Sequence, residues 1–127
     1  PGYLPLLSNA GLDDIFRKNV IELSGYDSII EGGDFTGSFD FGDISHIMPA
    51  LHPMIGGITG GLHTRNFRLT DPETAYILSA KAMAMTVADL LFNNAAKAKT
   101  IISNFKPVMT REKYLAFLES VSGIKKY

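Results

Sequence analysis

From Thr70 to Phe92 the sequence carries a single helix breaker, Pro72, placed where a helix tolerates it, and Ala75, Leu78, Ala82, Met85, Ala88, Asp89 and Leu91 follow without interruption. Alanine, leucine and methionine favour helix, so the pattern predicts a rod on the order of 30 Å long along which the rest of the chain must pack. Thr70-Asp71-Pro72-Glu73 offers two overlapping starts. Either Asp71 caps with Pro72 at the first helical position, or Thr70 and Glu73 form a reciprocal capping box. The run Ala82-Met83-Ala84-Met85 predicts close packing on both sides, with Met83 and Met85 as core filler.

Shorter helices surround this rod. Leu12, Ile15, Phe16, Val20 and Leu23 recur at helical spacing with charged residues between them, which predicts an amphipathic helix ending near Gly25. Another is expected from Ala95 to Phe105, closed by Pro107. Thr110 caps a last one, with Met109 and Tyr114 spaced as a hydrophobic staple and Gly123 as its stop. The glycine-rich and acidic stretch from Gly32 to Gly42 reads as a loop, and Asp43 to Met48 as one or two helical turns before Pro49.

Strand signals are few. Leu51-His52-Pro53-Met54-Ile55 reads as a short buried strand opening into Gly56-Gly57-Ile58-Thr59-Gly60-Gly61, and Phe67-Arg68-Leu69 as a brief second one. No internal repeat or low-complexity tract is present. The fold class is therefore α/β, helix-rich, with two or three short strands. So little sheet rarely stands alone and fits better as an addition to a larger one, which implies further polypeptide.

Composition narrows the function. The chain has 127 residues, 46% of them hydrophobic, which suits one core. A net charge of -1 with mixed signs gives no basic stripe, so nucleic acid and membrane surfaces are disfavoured partners. There is no cysteine, so any metal must be held by His, Asp or Glu, and a reducing, cytoplasmic setting is compatible. The opening Pro1-Gly2-Tyr3-Leu4-Pro5 has neither a basic region nor a long apolar run, and reads as a chain entered partway.

His63 is the leading candidate for chemistry. It follows the glycine cluster at the end of a predicted strand, where ligands bind in α/β folds, and neutral imidazole is a common zinc ligand. Gly60 and Gly61 would let substrate approach the backbone, and a surface histidine on a loop is the bland alternative. His46, His52 and His63 together would suffice for a zinc site, although their spacing does not specify convergence. Asp40 and Asp43 suit a ligand, a supporting carboxylate or a general base, or merely helix capping. The glycine cluster lacks the Gly-Lys-Ser/Thr of a phosphate cradle.

The stretch from Gly37 to Pro53, with Gly-Ser-Phe-Asp-Phe-Gly-Asp-Ile-Ser and a later Pro-Ala-Leu-His-Pro, resembles a segment of metal-dependent amidohydrolases related to aminoacylases and aminobenzoyl-glutamate hydrolases. The resemblance continues through Gly56-Gly57, Gly60-Gly61-Leu62-His63-Thr64 and Asp71-Pro72-Glu73-Thr74-Ala75-Tyr76. It implies that residues 1–127 are the C-terminal segment of a three-layer αβα catalytic domain of the zinc-exopeptidase type, following an inserted dimerisation domain. It further implies a two-metal site, usually zinc, in the full-length enzyme, with His63 as the last ligating histidine. The remaining ligands would lie upstream, in a His-x-Asp region and a pair of glutamates, so this chain alone is not expected to hold the metal or to catalyse. Substrates would be N-acyl amino acids, small peptides or aryl-amide conjugates. His46 and His52 would either pack or line the site, with His52 the one assigned to substrate, and Asp40 is a weaker transfer because Phe39 replaces the family's small polar residue. A non-catalytic α/β module that binds a protein through an uncovered apolar face is the rival expectation, and self-association fits either.

Overall fold

A computed structural model of the chain describes residues 3–32 and 37–123. Pro1, Gly2 and the centre of the Gly32–Gly42 loop lie outside it. The first helix, α1, spans Ala10–Ser24. Asn9 starts it by accepting the Leu12 N–H at 3.2 Å on its side-chain oxygen, and Gly25, at φ 84°, ends it. A short helix, α2, covers Asp40–Ser45, so it begins three residues earlier than the Asp43–Met48 turns expected from the sequence and takes in the end of the expected loop.

The two strands are β1, Ile58–Thr59, and β2, Arg68–Leu69, paired antiparallel with Ile58 opposite Leu69 and Thr59 opposite Arg68. The long helix α3, Ser79–Asn104, is entered through a wide π-type stretch at Glu73–Leu78. Of its two possible starts, Asp71 is the one used. Its carboxylate accepts the Thr74 N–H at 3.1 Å and the Thr74 hydroxyl at 2.6 Å. These bonds hold the Asp71 carboxyl below the usual range, the hydroxyl bond contributing most. The last helix, α4, Arg111–Val121, is capped by Thr110, whose hydroxyl accepts the Lys113 N–H at 3.3 Å.

The core lies between α1 and α3. Phe16 and Val20 of α1 meet Ala82 of α3, which is fully buried, and Leu23, Ile29, Leu51 and Ile55 pack around them. A methyl group at Ala82 lets the helices approach closely. Beside it, the buried Asn19 donates to the Thr86 hydroxyl and to Asp89, each at 3.2 Å, and Thr86 in turn donates to the Ala82 carbonyl. A buried polar group is tolerable only when paired, and this one has partners.

Two further expectations are corrected. Packing on α3 is one-sided: Met83 is 54% exposed, and with Ile77, Val87 and Leu91 it forms an uncovered apolar face, so Met83 is not core filler. Leu51 to Ile55 is not a strand among the described residues. Leu51 and Ile55 are partly buried against the core while Met54 is exposed, and the first strand forms later, inside the glycine cluster. The two helices expected on either side of Phe92–Ala95 are both present, as the two arms of α3 joined by a non-helical corner. Phe92 is extended, and Asn93, Asn94 and Ala95 are all left-handed, with φ of 48°, 56° and 57°. By length and composition Glu73–Asn104 meets the requirement for crossing a membrane, but this corner divides it. The whole is helix-rich with a small two-stranded sheet, compatible with a piece of an α/β fold.

Candidate functional site

Residues around α2 serve mainly to fasten the N-terminal segment. One Asp43 carboxylate oxygen accepts the Leu4 N–H at 2.8 Å, and the other accepts the Tyr114 hydroxyl at 2.9 Å. That bond, followed by burial and the Asp43 charge, raises the Tyr114 phenol above its ordinary value. The Ser45 hydroxyl accepts the Leu7 N–H at 3.0 Å and donates to the Gly42 carbonyl. His46 is buried, with Nδ1 2.9 Å from the Gly42 carbonyl, while its own carbonyl accepts the N–H groups of Val108 and Met109. His46 and Asp43 therefore hold the chain together rather than facing a cleft. Asp40, at the start of α2, is exposed and accepts only the Phe41 N–H, at 3.0 Å, among the described residues.

His52 has a different setting. Its ring stacks on Phe39, with centroids 4.8 Å apart and planes 15° from parallel, and is flanked by Phe41 at 5.5 Å. Its Nδ1 is buried with no hydrogen-bond partner among the described residues. His52 also lines an open groove of about 1030 Å³, whose apolar wall includes Phe16, Val20, Leu51 and Ile55 and whose rim carries Asp13 and Asp14. Burial, and then the charge of Asp14, raise the Asp13 carboxyl above the usual range. On the same rim Arg17 pairs with Glu31, and its guanidinium lies 5.8 Å from the centre of the Tyr26 ring. The groove was not anticipated from the sequence. Its signals were the apolar stripe of α1 and the Leu51–Ile55 run, which mark two walls without showing that they face each other.

His63 lies in the β1–β2 hairpin. The loop closes through two consecutive turns, the Thr64 N–H bonding the Gly61 carbonyl and the Phe67 N–H bonding the Thr64 carbonyl. Gly60 is required for that closure. It sits at φ 87°, and an added Cβ would lie only 2.8 Å from the Phe67 nitrogen and still closer to the Asn66 carbonyl. Gly61 receives the Thr64 hydroxyl at 2.7 Å. His63 itself is exposed, at φ 60°, a left-handed conformation that histidine adopts more readily than most residues. Its ring has no hydrogen-bond partner among the described residues, and nowhere among them do three His, Asp or Glu side chains gather as a metal cage. The donor chemistry at His63 thus suits one position of a divalent cation, and the rest of a ligand set would have to come from elsewhere.

The chain is 29% identical to the human Xaa-Arg dipeptidase over 108 residues, 81% of this chain and 24% of that protein. It is 34% identical to the mouse Xaa-Arg dipeptidase over 84 residues, 62% of this chain and 19% of that protein. It spans about a quarter or less of the length of these curated relatives. Matches of this extent must include the middle of the chain, and therefore His63. No family model matches the chain, and no solved structure matches it significantly.

Proposed function

We propose that this chain forms the C-terminal part of the catalytic domain of a metal-dependent amidohydrolase or peptidase that cleaves amide bonds of N-acyl amino acids or small peptides. The observation that carries this reading is the similarity to Xaa-Arg dipeptidases across a span that includes His63. A bound divalent cation, zinc by resemblance, would polarise the scissile carbonyl and acidify a water. His63 would give it one neutral imidazole from an exposed turn whose other side chains do not engage the ring. Gly60 and Gly61 would leave the backbone open to a substrate, and His52 would meet the substrate's less polar part beside its groove. Asp40, exposed and lightly bonded, would serve as a supporting carboxylate. The other metal donors and the general base would lie in polypeptide beyond these residues.

The test joins the chain to the coding sequence immediately upstream of it and measures metal by plasma mass spectrometry and hydrolysis of Xaa-Arg dipeptides and N-acyl amino acids. Bound divalent metal and hydrolysis are expected, with His63→Ala losing most of both. Unchanged metal content and rate in His63→Ala would refute the assignment. A second reading, a non-catalytic module that binds a protein, is favoured by the uncovered face at Met83, Val87 and Leu91. It would gain if the extended protein bound no metal and hydrolysed nothing.

A further inference from the structure

The corner at Phe92–Ala95 joins two well-formed helical halves. Three consecutive residues in the left-handed region are rare, because each L-residue there brings its Cβ against a carbonyl oxygen. Asparagine accepts this more easily than most, but Ala95, at φ 57° and ψ 36°, has no side-chain hydrogen bond to compensate. Alanine is also the best helix former, so the same residue favours the straight alternative. If Phe92 to Ala95 turned helical, Ser79–Asn104 would become one rod and residues 96–121 would swing away as an arm.

That arm meets the body through half-buried side chains and a handful of hydrogen bonds, on a surface that a second copy also presents. Ile101 lies against Gly11, where an added Cβ would come within 3.0 Å of it. Val108 and Met109 donate to the His46 carbonyl, and the Tyr114 hydroxyl donates to Asp43. Lys97 pairs with Asp89 across the corner. No residue of α4 is buried. A strained connection between a body and an arm that docks on it is the arrangement from which identical elements exchange between protomers.

We infer that this chain forms a dimer with a second copy of itself by straightening the Phe92–Ala95 corner and exchanging the arm of residues 96–121. In the dimer each arm occupies the position on the other copy that it holds on its own body in the monomer. Val108, Met109 and Tyr114 then donate to His46 and Asp43 of the second copy. The exchange recovers these bonds and relieves two strained corners per dimer. It is independent of the hydrolase reading, since it uses neither His63 nor a metal.

The experiment uses the 127-residue chain and measures its dimerisation constant by size exclusion with light scattering over a range of concentrations. Ala95→Gly relaxes the corner and disfavours the rod, so the constant should fall by at least about tenfold. The double substitution Asn93→Ala with Asn94→Ala acts in the opposite sense and should raise it by at least about tenfold. Because the chain has no cysteine, spin labels can be placed on cysteines introduced at the exposed Lys81 and Lys99. With labelled chain diluted into unlabelled, their separation should lengthen to about 27 Å in the dimer, the rise of a straight helix over that interval. Three results would overturn the inference: the double variant remaining monomeric throughout, a dimer whose constant ignores all these substitutions, or a dimer in which the two labels keep their monomer separation.

Discussion

Alanine in place of Gly42 should destabilise the protein, although alanine is the better helix former and Gly42 lies within α2. On propensity alone the change would gain about 1 kcal/mol. The new methyl group, however, would overlap the Leu4 carbonyl oxygen, well inside contact distance, and lie 2.9 Å from its carbonyl carbon. Those are backbone atoms, so the whole Leu4–Leu7 segment must lift. Lifting it breaks the Leu4 N–H bond to the Asp43 carboxylate and loosens the Leu7 N–H bond to Ser45. A bond to a charged acceptor contributes about 1.5–3 kcal/mol and a neutral one about 1 kcal/mol. The net loss is about 2 kcal/mol once the propensity gain is subtracted. For a domain of this size that lowers Tm by roughly 6–10 °C. Thermal and urea melts followed by far-UV circular dichroism would measure it. Gly32→Ala is the control, because its Cβ would meet nothing within 4 Å and should change stability by about 0.5 kcal/mol or less. A Gly42→Ala protein that melts at or above the parent would refute this account of how the N-terminal segment docks.

Ala82→Leu should cost about 1–3 kcal/mol, since the residue is fully buried where α1 crosses α3, and a urea midpoint unchanged from the parent would contradict that packing. Stability should also fall in acid. The Asp89 carboxyl is held below its ordinary value, first by the bond from Lys97 and then by that from Asn19. A depressed folded-state pKa contributes stability that is present above the unfolded value, about 3.9, and is lost as pH drops through the folded one. Asp89→Asn should therefore show a shallower acid limb in pH-dependent urea melts, and an identical limb would argue against the Lys97 and Asn19 bonds.

Features encoded by neighbouring residues were legible in the sequence. The α1 stripe, the Gly25 stop, the Thr110 cap and the break before Ala95 all depend on local backbone chemistry, which spacing reveals. The choice between Thr70 and Asp71 as the α3 start was left open because both satisfy a local rule. Only the geometry of Thr74 against the Asp71 carboxylate decides it. Leu51–Ile55 failed as a strand for a different reason. An apolar run reports burial, but a ladder also needs a partner at the right register, and no composition rule supplies one.

The candidate site shows the same division. The sequence marked Asp43, His46 and His52 as polar residues in a glycine-rich setting, and it could not separate their roles. Asp43 meets Leu4 and Tyr114 across long stretches of chain, and His46 meets Val108 and Met109, so their structural work is invisible to any short window. Sequence alone places His63 in a glycine-loosened loop. What the sequence withheld was that the loop is the tip of an antiparallel hairpin, which needs the pairing of Ile58 with Leu69 across it. Conversely, Ala95 looked like an ordinary first residue of a helix, because left-handed backbone leaves no trace in residue type when the residue is alanine.

The Phe39–His52–Phe41 stack offers a spectroscopic handle. A proton held over the face of an aromatic ring is shielded by its circulating electrons, so the His52 ring protons should resonate upfield of those of the exposed His63. With three histidines in the chain, one stacked, one buried against a backbone carbonyl and one at a hairpin tip, a simple proton spectrum can follow three separate regions without isotope labelling.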